Sequence, residues 1–228
     1  MARLLSRGFT VECVTEDNRT AMKRGFALLV AALTLCAAAR AAGNPPDAGT
    51  APQYADVDTH PNERVSIAAD PFDTADRAHF FRLDYLKYGL MPIRIIVTNT
   101  SDRPISLDDV RIQFISAGND RLPAANVDEI DRRMNDTGNP MDRRLNVPFP
   151  LPHGKGHNQK IDDDMNDFGF PGTIVEPHTT LSGFLLYDVH DLQQPVLRGA
   201  QIYVKMVKDH DGNELFPFTI DLDKMTKP

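Results

Sequence analysis

The chain has 228 residues and a formal net charge of −7. An acidic chain without a basic patch or stripe excludes nucleic acid as an expected partner. The length suits one domain with tails, or two small domains at most.

Residues 1–21 fit no targeting pattern, and Glu12, Glu16 and Asp17 are foreign to the short basic start of a leader. Met22 therefore reads as the true start. From there, MKRGFALLVAALTLCAAARAAG has a Lys23–Arg24 charged start and an uncharged run from Gly25 to Ala39. Small residues of A-x-A form follow at 37–39 and 39–41. This is the layout of a secretory signal peptide over 22–42. The apolar run is shorter than the roughly 20 residues a membrane span needs, so no span is expected after cleavage. The expected location is periplasmic or extracellular. Both cysteines, Cys13 and Cys36, fall in this region, so the exported domain must hold together by its core alone. Anchoring through a lipidated Cys36 fits less well, because Leu35 stands where a small residue belongs.

Residues 43–62 are rich in Pro, Ala, Gly and Asp and read as a disordered tether. The domain is expected over 63–228. It opens with a short strand at RVSIAA, after which Asp73 or Thr74 can cap a short helix. Ile93, Ile95 and Val97 alternate along a strand, NTSDRP is a turn, and Val110, Ile112 and Phe114 alternate along the next strand. Asn126 with Glu129 forms a capping-box pattern ahead of an amphipathic helix carrying Val127, Ile130 and Met134. Residues 137–172 hold five prolines and five glycines and read as a flexible insertion. The strand from Leu181 to Val189 is apolar on both faces, which predicts a central position. A hairpin turning at Asp211-Gly212 closes the chain, with Pro217 marking an edge strand. Seven or so short strands without a βαβ rhythm predict a mainly β fold. The expected form is an immunoglobulin-like β-sandwich with one or two short helices; a barrel is the alternative.

The run IAADPFDTADRAHFFRLDYLKYGLMPIRIIVTNTSDRPISL, with the later VEPHTTLSGFLLYDV and GAQIYVKMVKDHDGNEL, resembles an uncharacterised family of exported bacterial proteins. The resemblance covers about Val65 to Lys224, less the 137–172 insertion. It implies an exported immunoglobulin-like domain and brings no catalytic residue with it.

The chemistry-bearing stretch is PLPHGKGHNQKIDDDMNDFGF, residues 150–170. Asp162, Asp163, Asp164 and Asp167 could supply some of the six to eight oxygens that calcium takes, although their spacing is not that of an EF-hand loop. A solvated acidic patch is the plainer account. His153 and His157 stand four apart, a zinc spacing on a helix, but Pro152, Gly154 and Gly156 argue against a helix there. DHDGNE (residues 209–214) has the residue types of a calcium loop and reads more simply as a hairpin turn. Glu176 and His178 could form an acid–base pair, and otherwise mark a strand entry; His190 and Asp191 carry no stronger signal. No nucleophile elbow, glycine-rich phosphate loop, CxxC pair or zinc-protease motif is present. The leading expectation is a non-enzymatic exported module without a cofactor, for interaction or structural support, with an unknown protein partner in the cell envelope. Its edge hairpin is the expected docking surface. The alternatives are a calcium-binding module using the acidic stretch and an envelope hydrolase without a recognisable motif.

Overall fold

In the computed structural model, which describes residues 44–136 and 155–222, the fold is built around one strand. The β-branched run of LMPIRIIVTN favours extended chain on both sides of its pleat, and all ten residues of β3 (Leu90–Asn99) are buried. β3 pairs antiparallel with β2 (Val65–Pro71) on one side and with β8 (Thr179–Asp188) on the other. With β1 (Val57–His60) they form a sheet in the order β1-β2-β3-β8. The facing sheet has the order β10-β9-β5-β6, from β5 (Arg111–Ile115), β6 (Arg121–Pro123), β9 (Gln201–Lys205) and β10 (Phe218–Asp221). A two-stranded ribbon of β4 (Ile105–Ser106) and β7 (Ile174–Val175) lies beside them. The fold is a mainly β, antiparallel sandwich.

The inward residues of the two sheets make the main core. Ile67, Ile93, Ile95 and Tyr187 of the first sheet meet Phe114, Ile202, Val204 and Ile220 of the second. The Tyr187 hydroxyl is buried there and has no hydrogen-bond partner among the described residues. Burial also pushes the phenol's pKa well above its ordinary value. A buried donor without a partner costs free energy that its deletion recovers. Tyr187→Phe is therefore expected to leave stability unchanged or to raise it by up to about 1 kcal/mol in urea denaturation. A clear loss of stability would show that the hydroxyl is bonded after all.

The other face of the first sheet carries a second apolar layer. α1 (Ala75–Ala78), α2 (Val127–Asp136) and α3 (Lys155–Phe168) lie over it. Phe72, Phe80, Phe81, Leu90, Phe184 and Leu186 pack there with Ile130 of α2 and Ile161 of α3. The capping box of α2 forms as its sequence predicts: Asn126 N–H donates to Glu129 Oε2 and Glu129 N–H to Asn126 Oδ1, each at 2.9 Å.

Four expectations need correction. First, β8 is covered on both faces but is the last strand of its sheet. Its outer edge is closed by chain rather than by a strand. Ala125 N–H donates to Leu186 O at 2.8 Å, and a Cβ on Gly183 would come within 2.5 Å of Phe170 N. Second, the segment read as a tether is folded from Ala51, where a 3-10 turn (Ala51–Gln53) precedes β1. Val57 to His60 pair with Ala68 to Val65, so the domain begins well before residue 63. Third, the insertion contains α3. Pro152 and Gly154 precede its first residue and Gly156 lies in its first turn, where an early break in helix propensity costs little. Fourth, β10 is an edge strand, but Thr219 N–H on it donates to Asp58 Oδ2 of β1 at 2.8 Å, and His60 stacks on Phe218. That edge is engaged by the chain itself and is a poor docking surface.

Candidate functional site

The acidic stretch lies on α3, where residues three apart share a face. Ile161, Asp164 and Phe168 turn toward the second apolar layer. Asp164 is fully buried. Its Oδ1 accepts from Arg82 Nη1 at 2.8 Å, its Oδ2 accepts from Tyr85 Oη at 2.9 Å, and the Arg82 backbone N–H reaches both oxygens. One turn on, Asp167 accepts from Arg82 Nη2 at 2.5 Å. The hydrogen bonds that Arg82 donates to Asp164 and Asp167 raise the pKa of its guanidinium. Burial, with the Asp164 charge beside it, pushes the Tyr85 phenol up. Asp164 and Asp167 are thus a clamp that fastens α3 to the segment after α1. Asp162 is exposed and Asp163 half-buried on other parts of the helix surface. Among the described residues the four do not converge as a ligand set; the one group whose three ligand atoms lie within 4.8 Å of one another is Asp209, His210 and Asp211. His153 lies outside the described residues, and so does the side chain of His157.

The second concentration of ionisable groups gathers where the turns before β2, after β3, before β8 and before β10 meet. Asn99 at the end of β3 organises it, its amide nitrogen reaching the carbonyls of Arg103 (2.8 Å), Val175 (3.1 Å) and Glu176 (3.3 Å). Asp209 accepts from the backbone N–H groups of Asp211 (2.9 Å) and Asn213 (2.8 Å) and from the Asn213 side chain (3.1 Å). Those bonds from Asn213 hold its carboxyl below the usual range. Gly212 supplies the positive φ of 85° that the turn needs. The Arg103 guanidinium sits against His210 and 3.8 Å from Asp211. The bonds to Asp209 and the left-handed Gly212 make the stretch a turn, and the positive charge of Arg103 lies beside its acidic groups.

His178 pairs with a different acid from the one its sequence neighbours suggest. Its Nε2 lies 3.0 Å from Asp102 Oδ1, while Arg64 Nη1 donates to Asp102 Oδ2 at 2.7 Å. The Arg64 hydrogen bond, more than His178, depresses the Asp102 pKa. Glu176 contributes only its carbonyl to this corner. Both residues that grip Asp102 have left-handed backbone, Arg64 at φ 59° and His178 at φ 57°. Ser101, the adjacent hydroxyl, is spent on the turn, bonded to Asn99 Oδ1 and Arg103 O. His190 packs on Gly89, and Asp191 lies 3.7 Å from Arg133.

A third feature has no counterpart among the sequence motifs. Along the seam where β8 faces β5, an apolar cleft of about 440 Å³ opens, walled by Leu107, Val110, Ile112, Phe170 and Leu185. Val110, Ile112, Phe170 and Leu185 are only partly buried, although they pack on the main core. The seam stays open because β6 is too short. It covers Gln113 to Ile115 of β5, ends at Pro123, and leaves Arg111 and Ile112 paired with β9 only. Proline cannot donate to a ladder, so the strand stops there and the chain crosses to β8. The RLPAAN segment held that signal.

Comparison with protein-family models, curated proteins and solved structures finds no match to this chain.

Proposed function

We propose that the chain is a non-enzymatic interaction module of the cell envelope, an immunoglobulin-like sandwich exported by its N-terminal leader and engaging a protein partner. The immunoglobulin-like part is supported by strand order. With β2, β3 and β8 taken as strands A, B and E, and β5, β6, β9 and β10 as C, C′, F and G, the observed sheets match A-B-E facing G-F-C-C′. The β1 strand is an addition to the A edge. The interaction part rests chiefly on the apolar cleft at the β5–β8 seam. Concave apolar surface beside a few polar groups is the usual form of a binding site. The clusters that suggested a cation site or an acid–base pair are taken up in holding α3 and the turns together.

Affinity capture from envelope extract at native expression tests this reading. The expected result is one protein recovered reproducibly by wild type and displaced by added purified domain. Recovery of nothing specific would overturn it.

A further inference from the structure

The interaction reading leaves the partner's chemistry open, and the seam narrows it. In an extended strand, successive residues aim their backbone N–H and C=O to opposite sides. One of Arg111 and Ile112 therefore presents both groups to the side that β6 leaves uncovered, at the mouth of the apolar cleft. An extended polypeptide can use such an edge, whereas an acyl chain cannot. Residues paired across a ladder point to the same face. A guest residue opposite Ile112 thus faces inward, toward Leu185 and Phe170, and must be apolar. Its neighbour opposite Arg111 emerges on the outer face of the sheet. There Arg111 stands directly across from Lys205 of β9, and neither makes an ion pair among the described residues. Like charges directly opposite repel, and this pair occurs in a chain whose net charge is −7. A guest carboxylate at that position would lie beside Arg111 and offset this repulsion, with Lys205 one strand further on.

Resting on the interaction reading above, we infer that the uncovered half of β5 and its cleft take an extended segment of the partner protein in which a bulky apolar residue adjoins Asp or Glu. The segment continues the line of β6 past Pro123, sets the apolar side chain between the sheets and lays the carboxylate beside Arg111.

The test is a displayed library of random seven-residue peptides selected against the whole protein. A synthetic peptide of the enriched consensus is then titrated by fluorescence anisotropy. The expected consensus pairs an apolar residue with an adjacent acid. The variant carrying Arg111→Glu and Lys205→Glu is expected to keep the wild-type melting temperature, because both side chains lie on the outer face. It should bind the peptide at least tenfold more weakly and prefer a version with Lys in place of the acid. Peptide binding should also slow amide exchange at Arg111 or Ile112. No enrichment, or equal binding by the double variant, would overturn the inference, and so would laurate occupying the cleft while peptides do not. The two proposals fail separately. If wild type and double variant capture the same envelope protein equally well, the interaction reading stands and this site does not. If neither captures one, the interaction reading itself falls.

Discussion

Asp164→Ala is expected to lower stability by about 3 kcal/mol, the cost of stranding buried hydrogen-bonding groups around a deleted charge. For a domain of this size that is a fall of roughly 6–12 °C in Tm. The reason is local. Asp164 is fully buried, and its two oxygens satisfy Tyr85 Oη, Arg82 N–H and Arg82 Nη1. Tyr85 is 1 % exposed and would have no water to turn to. Most of the loss arises at these buried groups, since the Arg82 head keeps part of its surface in solvent. By contrast, Asp162→Asn and Asp163→Asn are expected to stay within about 0.5 kcal/mol, as surface substitutions do. Denaturation of the three variants separates a clamp from a ligand set. A clamp makes Asp164 unlike its neighbours. A cation site would instead show a calcium-dependent rise in Tm that all the substitutions weaken alike, and that result would restore the cation reading.

The difference between Asp164 and its neighbours also shows where the sequence could be read and where it could not. Patterned strands were legible because alternation is a local signal: Ile93, Ile95 and Val97 declare their face without knowing what covers it. The capping box at Asn126 and Glu129 is equally local, and both of its bonds form. What escaped depends on partners far along the chain. Asp164 finds Arg82 across 82 residues, and His178 finds Asp102 across 76. Composition misled at α3, where prolines and glycines up to the first turn and the run of aspartates beyond it masked the helical spacing of Ile161, Asp164 and Phe168. It misled again at β8, whose two apolar faces arise from layers above and below a strand at the sheet's edge. The cleft was invisible for another reason. It is made by a missing length of strand, and only the termination at Pro123 marks it in the chain.

Removing residues 44–55 is expected to destabilise the domain by about 4 kcal/mol, although their composition is that of a linker. Three sites on the outer face of the first sheet depend on them. Arg94, 5 % exposed, donates to Pro46 O at 2.5 Å and to Tyr54 Oη at 3.3 Å. Thr98 Oγ1 accepts from Ala51 N–H at 2.8 Å. Ala51 and Tyr54 cover Ala68 and Ile96, which are completely buried beneath them. Arg94 is the most consequential, because it also donates to Asp70 Oδ2 at 2.8 Å, and Arg77 donates to Asp70 Oδ1 at 2.6 Å. Two guanidinium groups share one buried carboxylate, so the Pro46 carbonyl and the Tyr54 hydroxyl supply Arg94 with acceptors that Asp70 alone cannot. Taking the strap away lets water onto that charge, and the apolar surface of Ile96 and Ala68 is wetted with it. Urea denaturation of the shortened protein measures the loss. A deletion that changes stability by less than about 0.5 kcal/mol, the range for surface changes, would return the segment to the status of a tether. A loss near the expected value makes the first dozen described residues part of the domain.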